Sequence, residues 1–199
     1  MASGWRWERA YDVALGLSAI SWAGLGLWGA EARPWSVRLA LAALNLLVGG
    51  LLLIRHAPLA SGGPRAVLAA LPSLILGGAA VRLADGPWPL AAQALFGLGA
   101  AGACASLATL GRSFAFLPSR RGLVVRGPYR LVRHPAYLSE LLMALACATV
   151  RPWPGALLAG GAALTLALRI RAEERLLARD EGWAAYRARV RWRLLPGLY

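Results

Sequence analysis

Six apolar runs, separated by short polar or proline-containing turns, constrain the fold of this chain most strongly. The runs are Val13–Ala30, Leu39–Ile54, Ala66–Val81, Leu90–Leu110, Leu138–Val150 and Trp153–Leu168. A bilayer core needs about 20 apolar residues per helix, so several runs reach it only with flanking residues, and the fifth is too short by itself. With 58% hydrophobic and 16% charged residues, the chain is more apolar than a typical soluble domain. We expect an all-α polytopic membrane helical bundle with about six transmembrane helices.

The arginines predict how this bundle lies in the membrane. All 22 basic residues are arginine, and the formal net charge is +13. They lie mainly between and after the apolar runs, as membrane flanks do, so the charge does not indicate nucleic-acid binding. With a cytoplasmic N-terminus, only four arginines lie outside, namely Arg33, Arg38, Arg82 and Arg151. The positive-inside rule therefore predicts that both termini and residues 111–135 lie in the cytoplasm. We expect an integral membrane protein of a bacterial inner membrane.

Polar residues concentrate at the entry to the fifth run, in Gly127–Tyr137. Arg133 and His134 bring hydrogen-bond donors, and Pro135 suits the first turn of a helix because its missing N–H costs nothing there. Tyr137 follows His134 by three residues, so both side chains can share one face. Helix starts with such donors bind anionic or zwitterionic small molecules. The sequence therefore predicts a small-molecule site at the start of the fifth helix.

A second polar stretch follows the sixth run, on a helix expected to continue into the cytosol. Arg169 and Glu173 are four residues apart and share a face of that helix. Glu174 is turned about 100° from Glu173, so only one of the two carboxylates is expected to point into a given pocket. Glu140 lies one turn into the fifth run, where ionisable groups tend to be functional. It is expected to line the cofactor cavity or to pair with a loop arginine.

Small residues inside the apolar runs have structural interpretations. Gly97, Ala101 and Ala105 form a ridge at four-residue spacing, which predicts a close helix approach. Cys104 and Cys147 show no metal-ligand spacing, so they are expected to be small buried side chains, and no metal site is predicted.

Taken in order, the polar stretches resemble the isoprenylcysteine carboxyl methyltransferase and phospholipid methyltransferase family. The residues that carry the resemblance are 127–129, 133–137 and 173–174, followed by Tyr186 and Pro196. It covers residues 90–199, while residues 1–89 match only as generic membrane helices. The chain is therefore expected to be a single membrane domain, residues 1–199, with a catalytic C-terminal half and a cytoplasmic C-terminal helix.

The resemblance implies an integral membrane methyltransferase that uses S-adenosylmethionine at the cytoplasmic end of the bundle to methylate a lipophilic or small acceptor. It implies cofactor binding by Arg121, Leu123, Val124, Tyr129, Arg133, His134, Pro135, Ala136, Tyr137, Glu173 and Glu174. Arg169 falls where the isoprenylcysteine enzymes hold an arginine near the substrate carboxylate, and Glu140 joins it as a catalytic candidate. Arg169 is thus expected to hold an anionic acceptor or to pair with Glu173.

Two other functions stay open from the sequence. Membrane reductases of the steroid type carry a similar His-Pro-x-Tyr followed closely by Glu, but use NADPH; the Glu173–Glu174 pair and the tail after it favour methyl transfer. A non-enzymatic membrane assembly factor would keep the fold without the chemistry, and the presence of His134, Tyr137 and Glu173 counts against it. Binding of S-adenosylhomocysteine, NADPH or neither separates the three functions.

Overall fold

The chain folds as a bundle of helices, as the sequence predicts. The computed structural model describes residues 2–28, 33–56, 60–61, 63–115, 119–120 and 122–198. Within these ranges, residues 2–8, 60–61, 63–67, 69–70 and 119–120 are described by their backbone alone.

Seven α-helices make up most of the described chain. They are α1 (Ala2–Trp28), α2 (Trp35–Ile54), α3 (Gly63–Leu83), α4 (Leu90–Leu110), α5 (Pro135–Val150), α6 (Pro152–Leu177) and α7 (Trp183–Arg189). Two 3₁₀ turns cover Gly111–Ser113 and Gly127–Arg130. The extended structure in the described residues is one antiparallel pair of two-residue strands, β1 (Ala60–Ser61) and β2 (Ser119–Arg120).

Four of the helices are long and apolar enough to cross a membrane, over Arg9–Trp28, Trp35–Ile54, Leu90–Ser113 and Pro152–Leu177. Shorter apolar helical stretches cover Leu71–Leu83 in α3 and Pro135–Val150 in α5. The prediction of an integral membrane helical bundle is confirmed at this level, whereas the count of six spans is not. The fifth helix is short, as expected, because it begins only at Pro135.

Helix α4 packs closely against α5, and this contact positions the start of α5. The contact uses Gly99, where an added Cβ would lie 2.9 Å from the backbone oxygen of Ser139 and 2.8 Å from Met143 Cγ. The predicted ridge is wrong in register, because Gly97 has open space around it and Ala101 and Ala105 are exposed. Gly97, Ala101 and Ala105 do lie on one face of α4, as their four-residue spacing predicts, but this face is turned away from α5.

The largest apolar core lies at the end of the bundle opposite to the start of α5. It includes Val37, Trp88, Phe96, Cys147 and Val150. The Trp88 and Phe96 rings meet edge to face with centroids 5.5 Å apart. Because this end is filled by apolar side chains, the polar residues of the bundle are concentrated at the other end.

Candidate active site

A cavity of about 260 Å³ lies between the beginning of α5 and the ends of α4 and α6. Its polar lining consists of Ser113, Tyr129, His134, Tyr137, Glu140, Arg169 and Glu173. Its apolar lining consists of Leu44, Val48, Leu74, Ala103, Leu107, Leu110, Phe114, Ala115, Ala136 and Met143, and Gly122 completes the wall. Residues from 44 to 173 along the chain therefore converge on one space.

The turn before α5 delivers Tyr129 to this cavity. Gly127 opens the turn with φ +56°, a backbone conformation that residues with a Cβ rarely adopt. A Cβ there would also lie 2.9 Å from Thr109 Oγ1 of α4. The Tyr186 hydroxyl of α7 donates a hydrogen bond of 2.8 Å to the backbone oxygen of Tyr129. The turn is thus held between α4 and α7, with the Tyr129 ring buried.

Pro135 is the first residue of α5, in the first turn as the sequence predicts, and His134 is the N-cap residue of this helix. The imidazole of His134 and the ring of Tyr137 are stacked, with centroids 5.5 Å apart and an angle of 10° between the planes. The Tyr137 hydroxyl donates a hydrogen bond of 2.5 Å to Glu173 Oε2 of α6. The beginning of α5 and the end of α6 therefore meet through three side chains that all face the cavity.

Glu174 lies beside the cavity and joins an ion-pair cluster. Its Oε1 is 2.8 Å from Arg133 Nη1, and its Oε2 accepts a bond of 2.9 Å from Arg193 Nη2. His134 Nε2 lies 3.2 Å from the same Oε1. An ionised carboxylate can only accept, so this contact assigns a hydrogen to Nε2. Glu174 thereby fixes the orientation of the imidazole, whose other nitrogen, Nδ1, lies 4.0 Å from Glu173 Oε2.

The segment after α7 runs alongside the loop that contains Arg133. The backbone N–H groups of Arg133 and His134 donate bonds of 2.9 Å to the oxygens of Trp192 and Arg193, respectively. Arg133 Nη2 also donates to the oxygen of Arg191 at 3.1 Å. These hydrogen bonds hold the loop before α5 against the segment that follows α7.

Glu140 and Arg169 form the deepest charged pair of the cavity wall. Arg169 Nη1 of α6 lies 3.6 Å from Glu140 Oε2 of α5 and donates a bond of 3.3 Å to Ser73 Oγ of α3. The guanidinium carbon is also 4.8 Å from the centroid of the Tyr137 ring. Arg169 is therefore paired with Glu140 and also contacts Ser73 and Tyr137, where the sequence predicted an anionic acceptor or Glu173 as its partner.

Residues 92–179, which contain most of α4 and all of α5 and α6, match the model of the isoprenylcysteine carboxyl methyltransferase (ICMT) family. The match covers 88 of the chain's 199 residues, and over this segment the chain is similar to the ICMT family. The resemblance predicted from the sequence is thereby confirmed, and it indicates a membrane methyltransferase. A comparison with curated proteins finds no match, and neither does one with solved structures.

The predicted site residues divide into two groups around the cavity. Those of the ICMT-family segment that line it are Tyr129, His134, Ala136, Tyr137, Glu140, Arg169 and Glu173. Leu123, Val124, Arg133, Pro135 and Glu174 are outside the lining. Arg121 lies outside the described residues. Leu123 instead packs against the cluster of Trp183, Tyr186 and Val190, so its side chain helps to hold α7 in place.

Sequence reasoning missed the part of the wall that comes from outside the ICMT-family segment. Leu44, Val48 and Leu74 line the cavity from α2 and α3. These leucines and this valine carry no signal, because apolar residues fill every face of such helices. Ser73 is different, since it is a fully buried polar residue next to Pro72 within an apolar run. A serine beside a proline within an apolar run could therefore have indicated Ser73 as a candidate site residue.

Burial changes the acidity of the groups that frame the site. It raises the pKa of the Tyr129 hydroxyl, and the nearby Glu173 carboxylate adds to the rise. Burial also lowers the pKa of the Arg133 guanidinium, while Glu174 opposes that change. Tyr129 is therefore a neutral phenol at physiological pH, and Arg133 remains a cation because a guanidinium stays protonated in proteins.

Proposed function

We propose that this protein is an S-adenosylmethionine-dependent methyltransferase of a bacterial inner membrane, with its site on the cytoplasmic side. The proposed acceptor is a lipophilic or small molecule. The observation that carries the proposal is the convergence of His134, Tyr137 and Glu173, three residues of the ICMT-family segment, on one cavity.

The residues around the cavity suit the polar groups of the cofactor. Glu173, whose side chain is 30% exposed, would accept hydrogen bonds from the amino group or the ribose hydroxyls. The His134 ring lies beside it and would meet the polar end of the same molecule. Tyr137 already contacts His134 and Arg169 through its ring, so Tyr129 is the better aromatic partner for the adenine or the sulfonium. The apolar wall, which includes Leu107 and Phe114, would exclude water.

The cofactor supplies an electrophilic methyl group on a sulfonium, which an acceptor takes by in-line displacement. The chain itself has to hold the two reactants in line and keep water out, and such positioning accounts for most of the acceleration in reactions of this kind. The fixed stack of His134 and Tyr137 and the Tyr137–Glu173 bond support this role, because they leave little freedom to the polar wall.

The origin of the cavity wall supports a lipophilic acceptor. Leu44 and Val48 come from α2, and Leu74 comes from α3, so this part of the wall is apolar and comes from apolar helices. An acceptor with a hydrocarbon portion would place it there and gain roughly 25 cal/mol for each Å² of buried apolar surface.

Ligand binding to the purified protein tests the proposal. We expect S-adenosylhomocysteine to raise the melting temperature and NADPH to have no effect. Glu173→Gln should abolish most of that stabilisation, whereas Glu181→Gln, a change at an exposed carboxylate before α7, should retain it. Stabilisation by NADPH alone would favour the reductase, and stabilisation by neither ligand would favour an assembly factor. Incubating membranes with radiolabelled S-adenosylmethionine and extracting the labelled lipid would then reveal the acceptor.

A further inference from the structure

We propose that Glu140 selects the methyl acceptor: it admits a nucleophile that carries a proton, such as an amine, a phenol or a thiol, and rejects a carboxylate. This inference rests on the proposed function, and it concerns the acceptor rather than the cofactor. It departs from what the family resemblance implies for Arg169, which is contact with a substrate carboxylate.

The geometry of the Glu140–Arg169 pair shows which of its two groups an incoming molecule would meet. Arg169 is buried, with 6% of its side chain exposed, and its guanidinium already faces the Glu140 carboxylate at 3.6 Å and Ser73 Oγ at 3.3 Å. Glu140 retains 23% exposure, and it lines the cavity. The group of this pair that is more open to an incoming molecule is therefore the acid.

The third contact to Arg169 comes from outside the ICMT-family segment. Ser73 is fully buried on α3, and residues 92–179 do not include it. Gly77, one turn further along α3, lies next to Glu140, because a Cβ there would be in van der Waals contact with Glu140 Oε1 at 3.5 Å. This chain thus uses its own third helix to hold the acid and the guanidinium together.

The charges that face the cavity disfavour a carboxylate acceptor. Among its described lining residues, Glu140 and Glu173 are acids, Arg169 is the one guanidinium, and His134 directs Nε2 toward Glu174. A carboxylate acceptor would place a third negative charge beside Glu140 in a site with an apolar wall. Like charges there repel more strongly than in water. An amine, which enters as an ammonium ion, or a neutral phenol or thiol meets no such repulsion.

The reaction gives Glu140 a second task on the same acceptor. The acceptor passes one proton to a Glu140 carboxylate oxygen, its lone pair forms the new bond to the methyl carbon, and the carbon–sulfur bond breaks with its electrons left on sulfur. A phenol or thiol ends as a neutral ether or thioether, and an ammonium ion ends as an N-methylammonium ion. Atoms and charge balance in each case, with Glu140 protonated at the end. A carboxylate acceptor has no proton to transfer and would leave this acid without a task.

Two matched probes test the selection without requiring turnover. Full-length protein in a non-ionic detergent, saturated with S-adenosylhomocysteine, is titrated with octylamine or octanoate, and the melting temperature is followed. We expect octylamine to reach half of its maximal stabilisation at a concentration at least about tenfold lower than octanoate. The net charge of +13 attracts octanoate to the protein surface in general, so it works against the expected result. Equal or tighter binding of octanoate, or no stabilisation by either probe, would overturn the proposal.

Glu140→Gln adds a change of sign to this test. It leaves the Arg169 guanidinium in the wall without its carboxylate, so the preference should shift toward octanoate by about tenfold or more. Glu181→Gln should leave the ratio as it is. An unchanged ratio in Glu140→Gln would refute the assignment, and if that variant does not fold, the comparison with the unmodified protein still decides. Failure of S-adenosylhomocysteine to bind would refute the proposed function as well, whereas its binding without discrimination between the probes would refute this inference alone.

Discussion

At the scale of single residues, two neighbouring carboxylates have separate tasks. Glu173 lines the cavity and accepts the hydroxyl of Tyr137, while Glu174 pairs with Arg133 and Arg193 beside it. The rotation of about 100° between successive helical residues separates them. The sequence predicted that only one of the pair would reach a given pocket, and the structure confirms it. Their different surroundings predict different consequences when each loses its charge.

Glu174→Gln is expected to destabilise the protein. Arg133, with 6% of its side chain exposed, would be left as a buried cation without its carboxylate, which costs about 3 kcal/mol of unfolding free energy. Glu173→Gln should cost less than about 1 kcal/mol, because its side chain is 30% exposed, and should instead weaken S-adenosylhomocysteine binding about tenfold. Thermal melts with and without the ligand measure both quantities. The same pattern in both variants would contradict the division of tasks.

Tyr137→Phe isolates the hydroxyl from the ring. The phenylalanine ring keeps the stack on His134 and the contact with Arg169, but loses the 2.5 Å bond to Glu173. This bond orients the Glu173 carboxylate toward the ligand, and a hydrogen bond to a charged group is worth about 1.5–3 kcal/mol. Because Glu173 would lose that orientation, we expect at least about tenfold weaker binding of S-adenosylhomocysteine. Calorimetric titration measures it. Unchanged affinity would show that Glu173 does not need this bond to meet the ligand.

At the scale of helices, the register of α4 on α5 decides where the site residues of α5 lie. Gly99 lies against Ser139 and Met143 of α5, and Ser139 is only two residues beyond Tyr137 and next to Glu140. Gly97, two positions earlier, has open space around it. Two glycines with the same local sequence propensity therefore have different roles.

Gly99→Ala should push α5 away from α4, because its new Cβ would lie 2.9 Å from a backbone oxygen. We expect a loss of about 1–3 kcal/mol in unfolding free energy together with weaker ligand binding. Gly97→Ala is the matched control and should be neutral or stabilising by up to about 1 kcal/mol, since alanine favours helix more than glycine does. Thermal melts of the two variants in the same detergent test the pair. Equal behaviour of the two would show that the close approach does not matter.

At the scale of the whole molecule, the bundle separates an apolar end from a polar one. The core around Phe96 fills one end, and the cavity with its charged residues lies at the other. The positive-inside rule predicts that the polar end is cytoplasmic. That orientation stays a prediction, because the geometry of a bundle does not depend on which end faces the cytosol.

Cysteine labelling tests the orientation. Pro87→Cys lies in the loop between α3 and α4, and Glu181→Cys lies in the turn before α7; both positions are exposed. With a membrane-impermeant maleimide applied to cells whose periplasm is accessible, we expect Pro87→Cys to react and Glu181→Cys to react only after permeabilisation. The unmodified chain, with Cys104 and Cys147, gives the background. The reverse order of reactivity would invert the topology and move the site to the outside.

The sequence by itself determined the class of fold and the main polar side chains of the site. Apolar runs of near-bilayer length leave helices as the choice, because a backbone in lipid must satisfy its own hydrogen bonds. The pattern from Gly127 to Tyr137 and the pair Glu173–Glu174 indicated the family, since spacing along a helix is a local property. For the same reason, the position of Pro135 in the first turn of its helix was predicted correctly.

Only the tertiary structure decided which side chains meet across helices. The facing side of α4 could not be read from its small residues, since Gly97 and Gly99 look alike in sequence and differ only in what lies opposite. Likewise, Arg169 has Glu140 and Ser73 as partners, residues 29 and 96 positions away, because α3, α5 and α6 bring them together. A contact of that kind depends on how whole helices pack, and apolar helices in lipid show no polar stripe that reveals the packing face.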